Sequence, residues 1–185
     1  MTRQQIILWA GAYLVELVAV IYFTRATARR VVGAMAGAAA AGLLGLGAIA
    51  LCEDLGWWRV PFASTPYFLP LFYLGLSISL TPIYLLTWRV VRRFGWRGLA
   101  VFGGIVTIIG PPRDYLIAAT FPKWMVFAPG VAPILADGAT YAGMVVLGHA
   151  MMRLIAGPSS EDRLARRPVE SAHSPLDRSM DSGFS

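Results

Sequence analysis

Long apolar stretches alternate with short charged ones along the whole chain. Residues 6–23 read IILWAGAYLVELVAVIYF, with Glu16 as the one charged position. As a helix this run rises about 27 Å, close to the ~30 Å hydrocarbon thickness of a bilayer. It is longer than the ~7–15-residue core of a signal peptide. TRATARR follows it, a basic flank that reads as a stop-transfer signal behind a retained helix. Residues 31–51, VVGAMAGAAAAGLLGLGAIAL, form a second run without charge. Gly33, Gly37, Ala41 and Gly45 recur at four-residue steps there. Such a small-residue stripe lets another helix approach closely, and packing within the same chain is the expected use.

CEDLGWWRVPFAST, residues 52–65, interrupts the pattern. Ionised Glu53 and Asp54 are costly in lipid, and Trp57 and Trp58 suit the headgroup level. The third run covers 66–88. It contains Pro70 and Pro82, with Ser77, Ser79 and Thr81 available to bond freed backbone groups. Arg89, Arg92, Arg93 and Arg97 follow, with Trp96 among them. The fourth run, 98–121, has an uncharged stretch of only 13 residues, GLAVFGGIVTIIG, before Pro111-Pro112-Arg113-Asp114-Tyr115, so a break is expected at 110–115. PKWMVFAPGVA, residues 122–132, reads as irregular interfacial backbone. The last run, 131–155, holds Asp137, Tyr141 and His149.

The pattern predicts an all-α integral membrane protein, a bundle of about five transmembrane helices over residues 1–155. Residues 156–185 are rich in Ser, Pro and charge, and a disordered cytoplasmic tail is expected.

Composition agrees with this reading. Hydrophobic residues make up 57% and charged residues 14%, against about 45–50% and 25% in soluble domains. Mean hydropathy is +0.61. The net charge of +6 does not indicate a nucleic-acid partner, because the charges cluster between apolar runs. That arrangement is the signature of membrane topology. With the N-terminus outside, Arg25, Arg29, Arg30, Arg89, Arg92, Arg93, Arg97, Arg153, Arg163, Arg166, Arg167 and Arg178 all fall on the cytoplasmic face. Only Arg3, Arg59, Arg113 and Lys123 fall opposite. The expected orientation is therefore N-out and C-in, in the plasma (inner) membrane of a bacterium. The lipid bilayer is the expected partner, together with other membrane helices or further copies of the chain.

Chemistry is less legible. Cys52 is the single cysteine, so no intrachain disulfide forms, and with two histidines there is no metal-ligand spacing. No phosphate loop, HExxH or GxSxG occurs, and no cofactor is expected. The catalytic candidates are the carboxylates Glu16, Glu53, Asp114 and Asp137. Glu16 sits near the bilayer centre, where an acid is costly and is by default a functional position. Asp137 and Tyr141 are four apart and share a helix face. Trp57, Trp58, Arg59, Arg113, Tyr115, Trp124 and Tyr141 are candidates for binding an amphiphile at an aromatic-walled site. Three functions remain open on this basis. The expected function is that of a non-catalytic subunit or assembly factor of a membrane complex, which asks least of the sequence; the alternatives are a membrane enzyme on a lipid-like or isoprenoid substrate and a small transporter or channel component.

Overall fold

A computed structural model describes residues 3–61, 68–123 and 125–158. It is helical apart from one small ribbon. Helix α1 spans Arg3–Thr24, α2 Ala28–Asp54, α3 Phe68–Thr120 and α4 Val131–Ala156. Among the described residues, three helices are long and apolar enough to cross a membrane: α2, the 73–120 part of α3, and α4.

Helix α1 stops where Arg25 turns to φ 49. Arg25 N donates to the Tyr22 carbonyl at 3.2 Å and Ala26 N to the Ile21 carbonyl at 3.3 Å. This is the closure of a Schellman turn, with arginine in the left-handed position that glycine usually takes.

Helix α3 is 53 residues long and contains one non-helical residue, Gly95, at φ 64 and ψ −153. The contacts of its two arms with α4 show what that residue does. In the first arm, Tyr84 meets Met144 and Gly148, and Thr87 meets His149. Position numbers thus rise together along the two helices. In the second arm, Gly103 meets Val145 whereas Pro111 meets Gly138, so the order is reversed. The arms run in opposite directions, and Gly95 is the turn of a helical hairpin. A positive φ is cheap only for glycine, which is why the reversal falls there.

The centre is built by α2, α4 and the first arm of α3. A Cβ on Gly33 would strike Ala156 and the Met152 carbonyl, and one on Gly37 would strike the backbone of Gly148. Gly45 lies against Leu76 and Met144. The small-residue stripe is therefore spent on close packing inside the chain. Ala34, Ala38 and Ala41 of α2 join Leu80, Tyr84, Leu85 and Trp88 of α3 and Met144 and Met152 of α4 in one buried cluster. Gly148 leaves room for the Tyr84 ring, whose hydroxyl donates to the Met144 carbonyl at 2.7 Å. Helix α1 packs mainly on α3.

Two expectations need correction. The break at 110–115 is absent, and α3 stays helical through Pro111 and Pro112 to Thr120. Pro111 removes the donor to the Thr107 carbonyl. That carbonyl lies beside Gly138, where the lack of a side chain lets α4 come close and shield it. The polar backbone is thus covered by protein instead of lipid, the condition under which proline is tolerated at membrane depth. Secondly, the interfacial segments are not wholly irregular. Strand β1, Trp58–Arg59, pairs antiparallel with strand β2, Val126–Phe127, with Trp58 opposite Phe127. The third apolar run was expected from Pro66, which lies outside the described residues, as does the tail from 159 onward.

Candidate functional site

The two ends of the bundle differ in chemistry. At the ribbon end, Trp57 N donates to the Cys52 carbonyl and Ala128 N to the Trp57 carbonyl, each at 2.8 Å. The segment after α2 is thereby tied to the segment before α4. Phe127 stacks on Tyr115 at 4.2 Å and meets Trp58 edge-on at 5.8 Å. Glu53 accepts a 2.7 Å bond from Val60 N, so its role is to hold this cap.

Beneath the cap lies a dense polar cluster. Arg113 and Asp114 leave the second arm of α3 about two turns before its end at Thr120, and Tyr141 faces them from α4. The Arg113 guanidinium donates to Asp114 Oδ1 through Nε at 3.1 Å and Nη2 at 2.9 Å. Nη2 also donates to the Tyr141 hydroxyl at 2.6 Å, which in turn donates to Asp114 Oδ2 at 2.7 Å. Gly110 makes this possible, because a Cβ there would enter the Tyr141 ring. Asp137, one turn along α4 from Tyr141, is only 4% exposed. Asp114 and Arg113 lie within its electrostatic reach, as do Cys52 and Tyr115. Asp137 Oδ2, the Tyr115 hydroxyl and Trp58 Nε1 are buried with no hydrogen-bond partner among the described residues.

The structure brings together Arg113, Asp114, Asp137 and Tyr141, with Tyr115 and Trp58 nearby. Arg59 is exposed on the ribbon, Trp57 is half-buried, and Trp124 lies outside the described residues. Glu16 does not join the cluster. It is exposed on α1, beside Val15 at 70% and Val18 at 58% exposure. Two open grooves flank β2. One, of about 530 Å³, is bounded by Glu53, Trp58, Arg59 and Phe127. The other, of about 330 Å³, is bounded by Tyr115, Ala118, Pro122 and Met125. Neither is lined by Glu16, Asp114 or Asp137. No group of three or more His, Cys, Asp or Glu residues suited to a metal occurs among the described residues.

The opposite end is basic. Arg30 is 5% exposed. It donates to the Gly157 carbonyl at 2.8 Å and the Pro158 carbonyl at 3.1 Å, and it covers the Trp88 ring at 5.0 Å. Arg89 donates to the Phe23 and Thr24 carbonyls at 3.2 and 3.4 Å. Each guanidinium thus closes the carbonyl end of a helix other than its own, where a cation is favoured. Sequence reasoning counted Arg30 and Arg89 only as topology signals. One clue for Arg30 was available: a cation at the start of α2 is badly placed for its own helix dipole.

Comparison with protein families, with curated proteins and with solved structures finds no match for this chain.

Proposed function

We propose that the chain is a five-span plasma-membrane protein, N-out and C-in, that serves as a non-catalytic subunit or assembly factor of a membrane complex. The five spans are α1, α2, the two arms of α3, and α4. The observation that carries the reading is the position of Glu16. It lies midway along an apolar helix, exposed, on a helix whose Leu14, Val15, Val18 and Tyr22 are also uncovered. Insertion of an acid at such a depth costs roughly 2.5–3.5 kcal/mol. A neighbouring chain that meets the carboxyl with a donor or a cation offsets that cost. The remaining acids are accounted for locally in part: Asp114 is held by Arg113 and Tyr141, and Glu53 by Val60.

A photo-crosslinking residue at Val15 or Val18 in native membranes tests this. The expected result is one protein adduct of fixed mass, retained in Glu16→Gln and lost in Glu16→Leu. Lipid adducts alone would exclude the subunit reading. A second reading, an enzyme acting on an amphiphile, is favoured by the buried, unpaired Asp137 Oδ2. It expects Asp137→Asn to abolish function without changing complex formation. A transport path past Glu16 and His149 has less support. Glu16 is exposed on α1, whereas His149 is buried on α4 with its Nδ1 3.4 Å from the Thr87 hydroxyl.

A further inference from the structure

At the arginine end, two turns far apart in the chain come together. The α1–α2 turn carries Arg25 and Arg29, and the α3 hairpin carries Arg93 and Arg97. Arg89 of α3 grips the end of α1, and Arg30 of α2 and Arg92 of α3 share the Trp88 ring, so the two turns are adjacent. Arg25, Arg29, Arg93 and Arg97 are all exposed. None has a carboxylate partner among the described residues, whose ion pair is Arg113–Asp114 at the far end. Phe94, 59% exposed, and Trp96, 74% exposed, project from the hairpin tip between these charges. Arg93 lies 5.3 Å from the Phe94 ring centre.

Topology needs positive charge here, but it does not need a strained backbone. Arg25 holds φ 49, a left-handed conformation that glycine adopts freely and an L-residue only at a cost. Strain kept where glycine would serve points to the side chain. Guanidinium groups match phosphate oxygens in paired hydrogen bonds. Exposed Trp and Phe set the depth at which those groups meet a headgroup.

We propose that this end of the bundle is a binding site for an anionic glycerophospholipid headgroup, formed by Arg25 and Arg29 on one turn and Arg93 and Arg97 on the other. The inference rests on the membrane reading above, but not on the subunit role. Each basic residue near an anionic surface strengthens binding roughly fivefold before screening. Four of them predict at least about a tenfold preference for anionic over neutral lipid after screening.

The test is native mass spectrometry of the full chain in detergent, titrated with phosphatidylglycerol or phosphatidylcholine. Phosphatidylglycerol adducts are expected to be retained at least about tenfold more strongly. The fourfold variant Arg25→Gln, Arg29→Gln, Arg93→Gln, Arg97→Gln is expected to lose most of that preference, and Lys123→Gln to keep it. Arg25→Gly guards against misfolding, since glycine suits this turn better than arginine. It is expected to keep the fold by circular dichroism and to weaken the preference. Equal retention of both lipids, or an undiminished preference in both the fourfold variant and Arg25→Gly, overturns the site. A chain that stays soluble without detergent and retains neither lipid overturns the membrane reading as well.

Discussion

Arg30 shows how one side chain can join three helices. It starts in α2, covers Trp88 of α3 and ends on the carbonyls after α4. Hydrogen bonds from a charged donor contribute about 1.5–3 kcal/mol each at best. Arg30→Gln is expected to cost about 2 kcal/mol, seen as a lower midpoint in denaturant titration in mixed micelles. Arg29→Gln, exposed one residue earlier, is expected to stay within about 0.5 kcal/mol. At the ribbon end the key residue is Tyr141. Tyr141→Phe removes both its bond from Arg113 and its bond to Asp114. Stability is expected to fall by only about 1 kcal/mol. The local effect should be larger in relative terms. Cys52, 3% exposed, is expected to react faster with a maleimide as the cluster loosens, and an unchanged labelling rate would show that Tyr141 does not secure this end.

Among the elements, α2 and α4 form the closest pair, and glycine sets their separation. Gly148→Ala would drive a methyl group into the Tyr84 ring, and Gly37→Ala would drive one into the backbone of α4. Each is expected to destabilise by about 1–3 kcal/mol through overpacking. Gly47 has open space around it, so Gly47→Ala is expected to stabilise α2 by up to about 1 kcal/mol. Thermal unfolding of the three variants in one detergent decides the matter. The stripe was legible because four-residue spacing fixes a helix face without reference to any partner. The hairpin was half legible. The arginine cluster marked the end of a run, but only Gly95 among the residues from 89 to 97 can take positive φ cheaply. Pro111-Pro112 misled because proline reports a lost donor and says nothing of what shields the freed carbonyl. Gly138, which allows that shielding, lies on another helix. The ribbon was illegible for the same reason, since two-residue strands carry no periodicity. In the polar cluster, the spacing of Asp137 and Tyr141 gave the shared face, and the adjacency of Arg113 and Asp114 gave the pair. That Glu16 and Glu53 stand apart depends on which way α1 and the cap turn, which spacing does not encode.

For the whole molecule, the contrast between ends is the main feature. One end mixes acids, aromatics and a ribbon, and the other is arginine-rich and closes helix carbonyls. Reporter fusions after Arg30, Thr65, Arg97 and Ala128 are expected to read inside, outside, inside, outside in turn. A cytoplasmic signal after Thr65 would reverse the proposed orientation.

The pairing of Trp58 with Phe127 also sets an order in time. A ribosome adding about 5–20 residues per second needs roughly 3–14 s to pass from one partner to the other. During that interval Trp58 has no strand to join, and the hairpin at Gly95 must form before β2 can arrive. The Glu53–Val60 bond is available at once and can hold the early half of the cap while it waits. Closure of the ribbon is therefore a late event in biogenesis, and a chain stalled before Phe127 would present the membrane with four helical segments and an open end.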